Sequence, residues 1–126
     1  MIAVGETLPP RSVGPVSQTD IVRFAGASGD FNPLHHDPAA ARAAGFDAPI
    51  AMGQFQAAAL AGLLSDWAGV GNVLAYAVRF RAPVRLGDVL ELSGEVVAVE
   101  SGVATVDLVG RVGSEAVVTA TARVGL

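Results

Sequence analysis

The polar and apolar letters of the chain change rhythm near Gly69. Downstream of it, Leu74, Tyr76, Val78, Phe80 and Ala82 alternate with a set that includes Arg79 and Arg81, the period of a strand with one buried face. Pro83 ends or edges that run. The same alternation returns at Leu90-Leu92-Gly94-Val96-Ala98, at Val106-Leu108-Gly110-Val112 and at Val118-Ala120-Ala122-Val124. Glu91, Glu95, Thr105, Asp107, Thr119 and Thr121 occupy the intervening positions and mark a wet face. The separators Gly87-Asp88, Glu100-Ser101-Gly102 and Gly113-Ser114-Glu115 are short, so the pattern predicts four strands in an antiparallel meander.

Upstream of Gly69 the pattern is helical and loop-rich. Ser17 followed three residues later by Asp20 has the form of a capping box before a helix running to about Ala27, with Gly29 as its stop. Asp37-Pro38 opens a second, short helix, Ala39 to Ala44, ended by Gly45. A third, from about Gly53 to Trp67, carries Phe55, Ala57, Ala58, Ala59, Leu60, Ala61, Leu63, Leu64 and Trp67 and keeps almost no polar face. Such a helix must be covered nearly all round. The simplest way to cover it with an antiparallel meander is a strongly curved sheet wrapped around it, the hot-dog fold of the α+β class. A ferredoxin-like or cystatin-like sandwich is the alternative, but its helices keep one solvated face.

Composition narrows this picture. With 126 residues and no repeat, linker or low-complexity segment, the expectation is a single domain over residues 1–126. The absence of cysteine removes disulfides, thiolate nucleophiles and Cys-based zinc sites. Eight basic against twelve acidic residues, net −4, give no footprint for nucleic acid. Arg79, Arg81 and Arg85 still form a small patch for a local anion. A mean hydropathy of +0.51 is high for a monomer in water, so a buried subunit interface is expected. Gln54, Gln56, Ser65 and Asp66 interrupt the longest apolar run before the roughly 18 to 20 residues of a membrane span. The start of the chain lacks the layout of a secretory signal, and the sequence reads as cytoplasmic.

One loop gathers reactive groups. Gly29-Asp30-Phe31-Asn32-Pro33-Leu34-His35-His36-Asp37 holds the only two histidines beside carboxylates. Pro33 fixes its own φ and pushes Asn32 toward an extended conformation, so the stretch can aim Asp30 and His35 at one point outside the packed core. An Asp and a His converging on a water make a general acid/base pair. Taken alone, the same residues also fit a helix cap and a solvated imidazole. A metal site built from Asp30, His35, His36 and Asp37 is disfavoured, because adjacent side chains on an extended segment point apart and no further ligand cluster exists. Ser28 lacks a nucleophile elbow, and neither a dinucleotide fingerprint nor a Walker loop is present.

The run Phe24-Ala25-Gly26-Ala27-Ser28-Gly29-Asp30-Phe31-Asn32-Pro33-Leu34-His35, followed by Asp37, Ala41, Gly45-Phe46 and Pro49-Ile50-Ala51-x-Gly53, resembles the hydratase motif of the MaoC-like family. That family comprises the (R)-specific enoyl-CoA hydratases and their acyl-carrier-protein dehydratase relatives. The likeness is close from about Val22 to Gly53. It implies hydration of a trans-2-enoyl thioester, of coenzyme A or acyl carrier protein, to a (3R)-hydroxyacyl thioester without metal or redox cofactor. It assigns Asp30 and His35 to the water and the Gly53 amide to the thioester carbonyl, with Asn32 bracing the loop and Met52 beside the substrate; with the carbonyl at Gly53, helix spacing then places Ala57, Ala58 and Ala61 on the next two turns along the acyl group.

Two positions depart from the family pattern. Met52 stands where many members have a His, and Ala61 where they have a Ser. Ser65-Asp66-Trp67-Ala68-Gly69, Gly94-Glu95-Val96 and Val118-Thr119-Ala120-Thr121 look more like the small MaoC-type subunits of actinobacterial steroid side-chain hydratases, which work beside a second, larger MaoC-like chain. The resemblance therefore implies either a homodimer or a heteromer with a second MaoC-like subunit. In the latter this chain is an enzyme or a non-catalytic acyl-binding partner.

Overall fold

The computed structural model describes residues 1–126. In chain order it contains β1 (Arg11–Val13), α1 (Gln18–Ser28), α2 (Pro38–Ala43), α3 (Gly53–Ala68), β2 (Val73–Phe80), β3 (Leu90–Glu100), β4 (Val103–Val112) and β5 (Glu115–Gly125). The strands form one antiparallel sheet in the order β1-β3-β4-β5-β2, curved around α3. This is the α+β hot-dog arrangement that the patterning implies.

The helices begin and end where their caps dictate. Ser17 Oγ accepts from the Asp20 N–H while the Asp20 carboxylate accepts from the Ser17 N–H, a complete capping box for α1. These bonds to Ser17 hold the Asp20 carboxyl below its usual range. Gly29 closes α1 in the left-handed region at φ 73°. Asp37 accepts from the Ala39 N–H to start α2.

Packing follows from the faces. Leu60, Leu63 and Leu64 of α3 are fully buried with the inward rows Leu90-Leu92-Val96 of β3, Val106-Leu108 of β4 and Val118-Ala120-Ala122-Val124 of β5. Each such leucine contributes roughly 1.5–3 kcal/mol of apolar burial. Gly110, also on an inward row, has no room for a side chain: a Cβ there would sit 2.8 Å from a methyl of Val118.

The connectivity departs from the predicted four-strand meander. β3, β4 and β5 form one, but β2 pairs with β5 at the far edge instead of with β3. Gly87-Asp88 does lie in a tight turn, with Asp88 N–H donating to the Arg85 carbonyl, yet it joins no hairpin. The segment after Phe80 crosses the start of α3 instead, where Val84 accepts from the Ala51 N–H and Arg85 bridges Ile50. The short strand β1, on the edge of β3, was not predicted. A register shift between Val73 and Ala75 also turns Leu74 outward, leaving it 57% exposed.

Tyr76 ties β2 to the helix: its hydroxyl donates to the Ala57 carbonyl at 2.8 Å. Burial pushes the phenol from its ordinary value of 10.0 up to about 12. The folded state thus prefers the neutral phenol, and this contribution is full below pH 10 and lost as pH rises toward about 12. Tyr76→Phe is expected to cost about 1 kcal/mol at neutral pH and to remove that alkaline loss. Urea midpoints measured across pH 8 to 12 check both effects.

Candidate active site

The turn after α1 is built from short-range bonds that leave little freedom. Asp30 N–H donates to the Ala25 carbonyl, and Asp30 Oδ1 accepts from the Asn32 N–H at 3.3 Å. Asn32 Oδ1 accepts from the Leu34 N–H at 3.0 Å, which starts a single 3-10 turn at Pro33–His35. The Asn32 side-chain oxygen is therefore engaged within the loop. Gln18 of α1 donates to the His35 carbonyl at 2.9 Å and fastens the turn to the body.

His35 is buried at 7% exposure rather than lying outside the core as the loop position suggested. The reason is its second anchor: Nδ1 lies 2.8 Å from the Ile50 carbonyl. A carbonyl can only accept, so this contact places the proton on Nδ1 and leaves Nε2 as the working nitrogen. Nε2 lies 3.4 Å from Asp30 Oδ2, and the Asp30 side chain is 39% exposed. One group is fixed and dry, and the other is partly open to solvent. Such a pair can hold one shared proton and exchange it with a bound water.

Ile50 also links this pair to α3. Its N–H donates to the Leu34 carbonyl at 3.4 Å and Ala51 N–H to Val84 at 2.9 Å, so the strand-like segment before the helix is held on both sides. Met52, 3% exposed, is the N-cap residue and supplies no side-chain capping bond. The Gly53 and Gln54 N–H groups have no acceptor within the chain. They carry the positive end of a helix of 16 residues. Gly53 is closely approached: a Cβ there would lie 3.0–3.2 Å from ring carbons of Phe80, which would have to shift by a few tenths of an ångström. Along the helix, Ala57 is buried and Ala61 half-buried on the row that starts at Gly53, while Ala58 is exposed.

The remaining polar groups of the loop have other work. His36 is exposed, Asp37 caps α2, and Ser28 Oγ donates to the Phe24 carbonyl. No three His, Cys, Asp or Glu side chains stand together as a metal would need. The two best-formed clefts, about 820 and 590 Å3, lie elsewhere: one on the outer face of the sheet, the other between Val13–Val16 and α1. Neither includes Asp30, His35 or Gly53. Sequence reading missed the Ile50 carbonyl and Phe80. A backbone acceptor 15 residues from His35 leaves no mark in the letters.

Residues 2–118 match the model of the MaoC like domain. The chain belongs to the MaoC-like family. Among curated MaoC-like relatives, 3-hydroxyacyl-thioester dehydratase X of Mycobacterium tuberculosis is 41% identical over 78 residues, 62% of this chain and 27% of that protein. The (R)-specific enoyl-CoA hydratase of Aeromonas caviae is 40% identical over 81 residues, 63% of this chain and 60% of that protein. These alignments thus span less than two thirds of either relative. Among solved MaoC-like structures, the ChsH1–ChsH2 complex from Mycobacterium tuberculosis contains a chain with TM-score 0.91 and 32% identity, covering 100% of this chain and 99% of its own length. No helix of the structure is long and apolar enough to cross a membrane.

Proposed function

We propose that this MaoC-like chain reversibly adds water to a trans-2-enoyl thioester of coenzyme A or acyl carrier protein, giving a (3R)-hydroxyacyl thioester, in the cytoplasm. The observation that carries this reading is the Asp30–His35 pair, with Nε2 and a carboxylate oxygen 3.4 Å apart, next in the chain path to free helix amides.

The chemistry follows from these groups. Attack of water at Cβ builds enolate charge on the thioester oxygen, and the Gly53 N–H at a helix start is the donor for it. The Asp30 carboxylate takes a proton from water as its oxygen bonds to Cβ. His35 Nε2, carrying the proton it shares with Asp30, gives that proton to Cα while Ile50 holds the ring. Transfer from Asp30 to Nε2 then restores the pair. Only water and protons move, so the reaction calls for no redox cofactor. The (R) outcome is taken from the Aeromonas relative's description. The test is loss of the ultraviolet absorbance of a 2-enoyl-CoA or enoyl-acyl-carrier-protein. No loss with either, alone or beside a second MaoC-like chain, overturns the reading.

A second reading, an acyl-binding partner that turns nothing over, is favoured by Met52 and Ala61, where hydrogen-bonding side chains are absent. Both readings require a partner subunit. β2 is an edge strand with Leu74 57% and Phe80 47% exposed. Pairing along β2, with a second copy or with a second MaoC-like chain, covers that edge. Light scattering at micromolar concentration is expected to report a dimer or larger species, and a soluble, active 12.7 kDa monomer would contradict this. A two-chain complex that is active only with its Asp30 intact favours the enzyme reading over the binding one.

A further inference from the structure

Only two polar side chains are buried in this molecule, His35 at 7% and Gln56 at 2% exposure. The needs of His35 are met by Ile50 and Asp30. Gln56 is different: its Oε1 is fully enclosed and has no hydrogen-bond donor. A buried acceptor without a donor costs on the order of 1–3 kcal/mol, and a methionine or leucine of similar volume would avoid that cost. Its neighbours on α3, Ala57, Leu60, Leu63 and Leu64, are apolar, so the fold itself gives no reason for a carboxamide there. A donor for it would come from outside the chain, as an internal water or a bound group.

Position narrows what that is. Gln56 lies one turn into α3 from Gly53. Helix side chains lean toward the N-terminus, which brings Gln56 alongside the turn of Gly53, a residue with no side chain of its own. With the thioester oxygen on the Gly53 amide, Cβ lies two carbon–carbon bonds from the carbonyl carbon, roughly 2.5 Å away. The 2-enoyl group carries no O–H or N–H there. The attacking water and the resulting 3-hydroxyl do.

We infer that Gln56 Oε1 accepts a hydrogen bond from the oxygen that is added at Cβ, which makes Gln56 a catalytic and specificity-determining residue. The inference rests on the hydratase reading and extends it. Water has two O–H groups: one gives its proton to Asp30, and the other remains intact on Gln56. One lone pair forms the bond to Cβ, and His35 supplies the proton at Cα. Gln56 neither gains nor loses a proton. It fixes the oxygen's orientation before attack and retains the same O–H as the 3-hydroxyl afterwards. The bond exists for water and for the hydroxyacyl thioester, and is absent for the enoyl and saturated thioesters.

The test compares wild type with Gln56→Met, and with Gln56→Leu as a second unbonded replacement, using crotonyl-CoA, butyryl-CoA and (3R)-3-hydroxybutyryl-CoA. The corresponding set with a longer acyl group replaces these where the enzyme prefers it. The expected result is a fall in kcat of about tenfold or more with KM for the enoyl thioester within about twofold. Inhibition by the hydroxyacyl thioester should weaken about tenfold, inhibition by butyryl-CoA should hold, and the melting temperature should not fall. Unchanged kcat and unchanged hydroxyacyl inhibition in either folded variant overturn the inference. So does equal weakening of both inhibitors with a lower melting temperature, the mark of a lost internal water. Wild type without turnover of any enoyl thioester removes the hydratase reading itself, whereas an active wild type indifferent to Gln56 removes this inference alone.

Discussion

Asp30→Asn is expected to lower the rate of enoyl-thioester hydration by at least about a hundredfold with the fold unchanged, because it removes the group that takes the proton of water in the proposed reaction while retaining the shape of the loop. The amide keeps an oxygen for the Asn32 N–H, and the side chain is 39% exposed, so little packing is disturbed. His35→Ala is expected to lose at least as much activity, since it removes the acid that serves Cα in the proposed reaction. It should also cost stability. The ring is 7% exposed and its loss leaves the Ile50 carbonyl without a side-chain donor, a penalty of about 1–3 kcal/mol. The two variants therefore separate chemistry from folding: similar rate losses, but a lower melting temperature only for His35→Ala. Initial rates by ultraviolet absorbance, beside thermal unfolding of each variant, are the measurements. Rates like wild type in both would end the assignment of this pair, and a rate loss in His35→Ala alone would assign the reaction to the imidazole without Asp30.

What the letters carried and what they did not divides along a physical line. Local signals were legible: the capping box of Ser17 and Asp20, the left-handed Gly29, the Asp37 cap and the start of α3 at Gly53 each depend on neighbours a few residues away. The alternation told which face of β3, β4 and β5 is buried, with Val118, Ala120, Ala122 and Val124 all inside, but it failed at Ala98, which a register shift after Val96 leaves exposed. Alternation does not tell which strands are neighbours. Gly87 therefore read as a hairpin turn although its chain comes from across the start of α3. β1 is too short, at three residues, to show any period.

The candidate site divides in the same way. The spacing of Asp30 and His35 on a Pro-stiffened loop was visible, and the structure brings their side chains together. The depth of His35 was not, because it is set by the carbonyl of Ile50, a backbone group in a distant segment. Gln56 was visible only as a break in an apolar run. Its burial follows from the sheet that closes around α3, and no local pattern encodes that closure.

Substrate size tests the other end of the proposed acyl path, on the row Gly53, Ala57, Ala61 that i+4 spacing places along one side of α3. Eight residues of helix put Ala61 about 12 Å from the Gly53 amide. A crotonyl group extends only about 4 Å beyond its carbonyl carbon, so it ends well short of Ala61. A phenylalanine at that position leans back toward the N-terminus by about one turn, roughly 5 Å, and still does not meet it. A longer or polycyclic acyl group running along the row does meet it. Wild type is thus expected to turn over a bulky branched enoyl-CoA at least as well as crotonyl-CoA, the small side chains of Ala57 and Ala61 leaving room for it. Ala61→Phe is expected to lower kcat/KM for the bulky substrate by about tenfold or more, while that for crotonyl-CoA stays within about threefold, a difference of roughly 1 kcal/mol or more in transition-state binding. Ala61 is half-buried, so thermal unfolding of the variant accompanies the kinetics. Preference of wild type for crotonyl-CoA, with equal losses on both substrates in Ala61→Phe, would sink the size argument and leave the proposed Asp30–His35 chemistry untouched, since the proposed attack on Cβ takes place at the thioester end of the acyl chain.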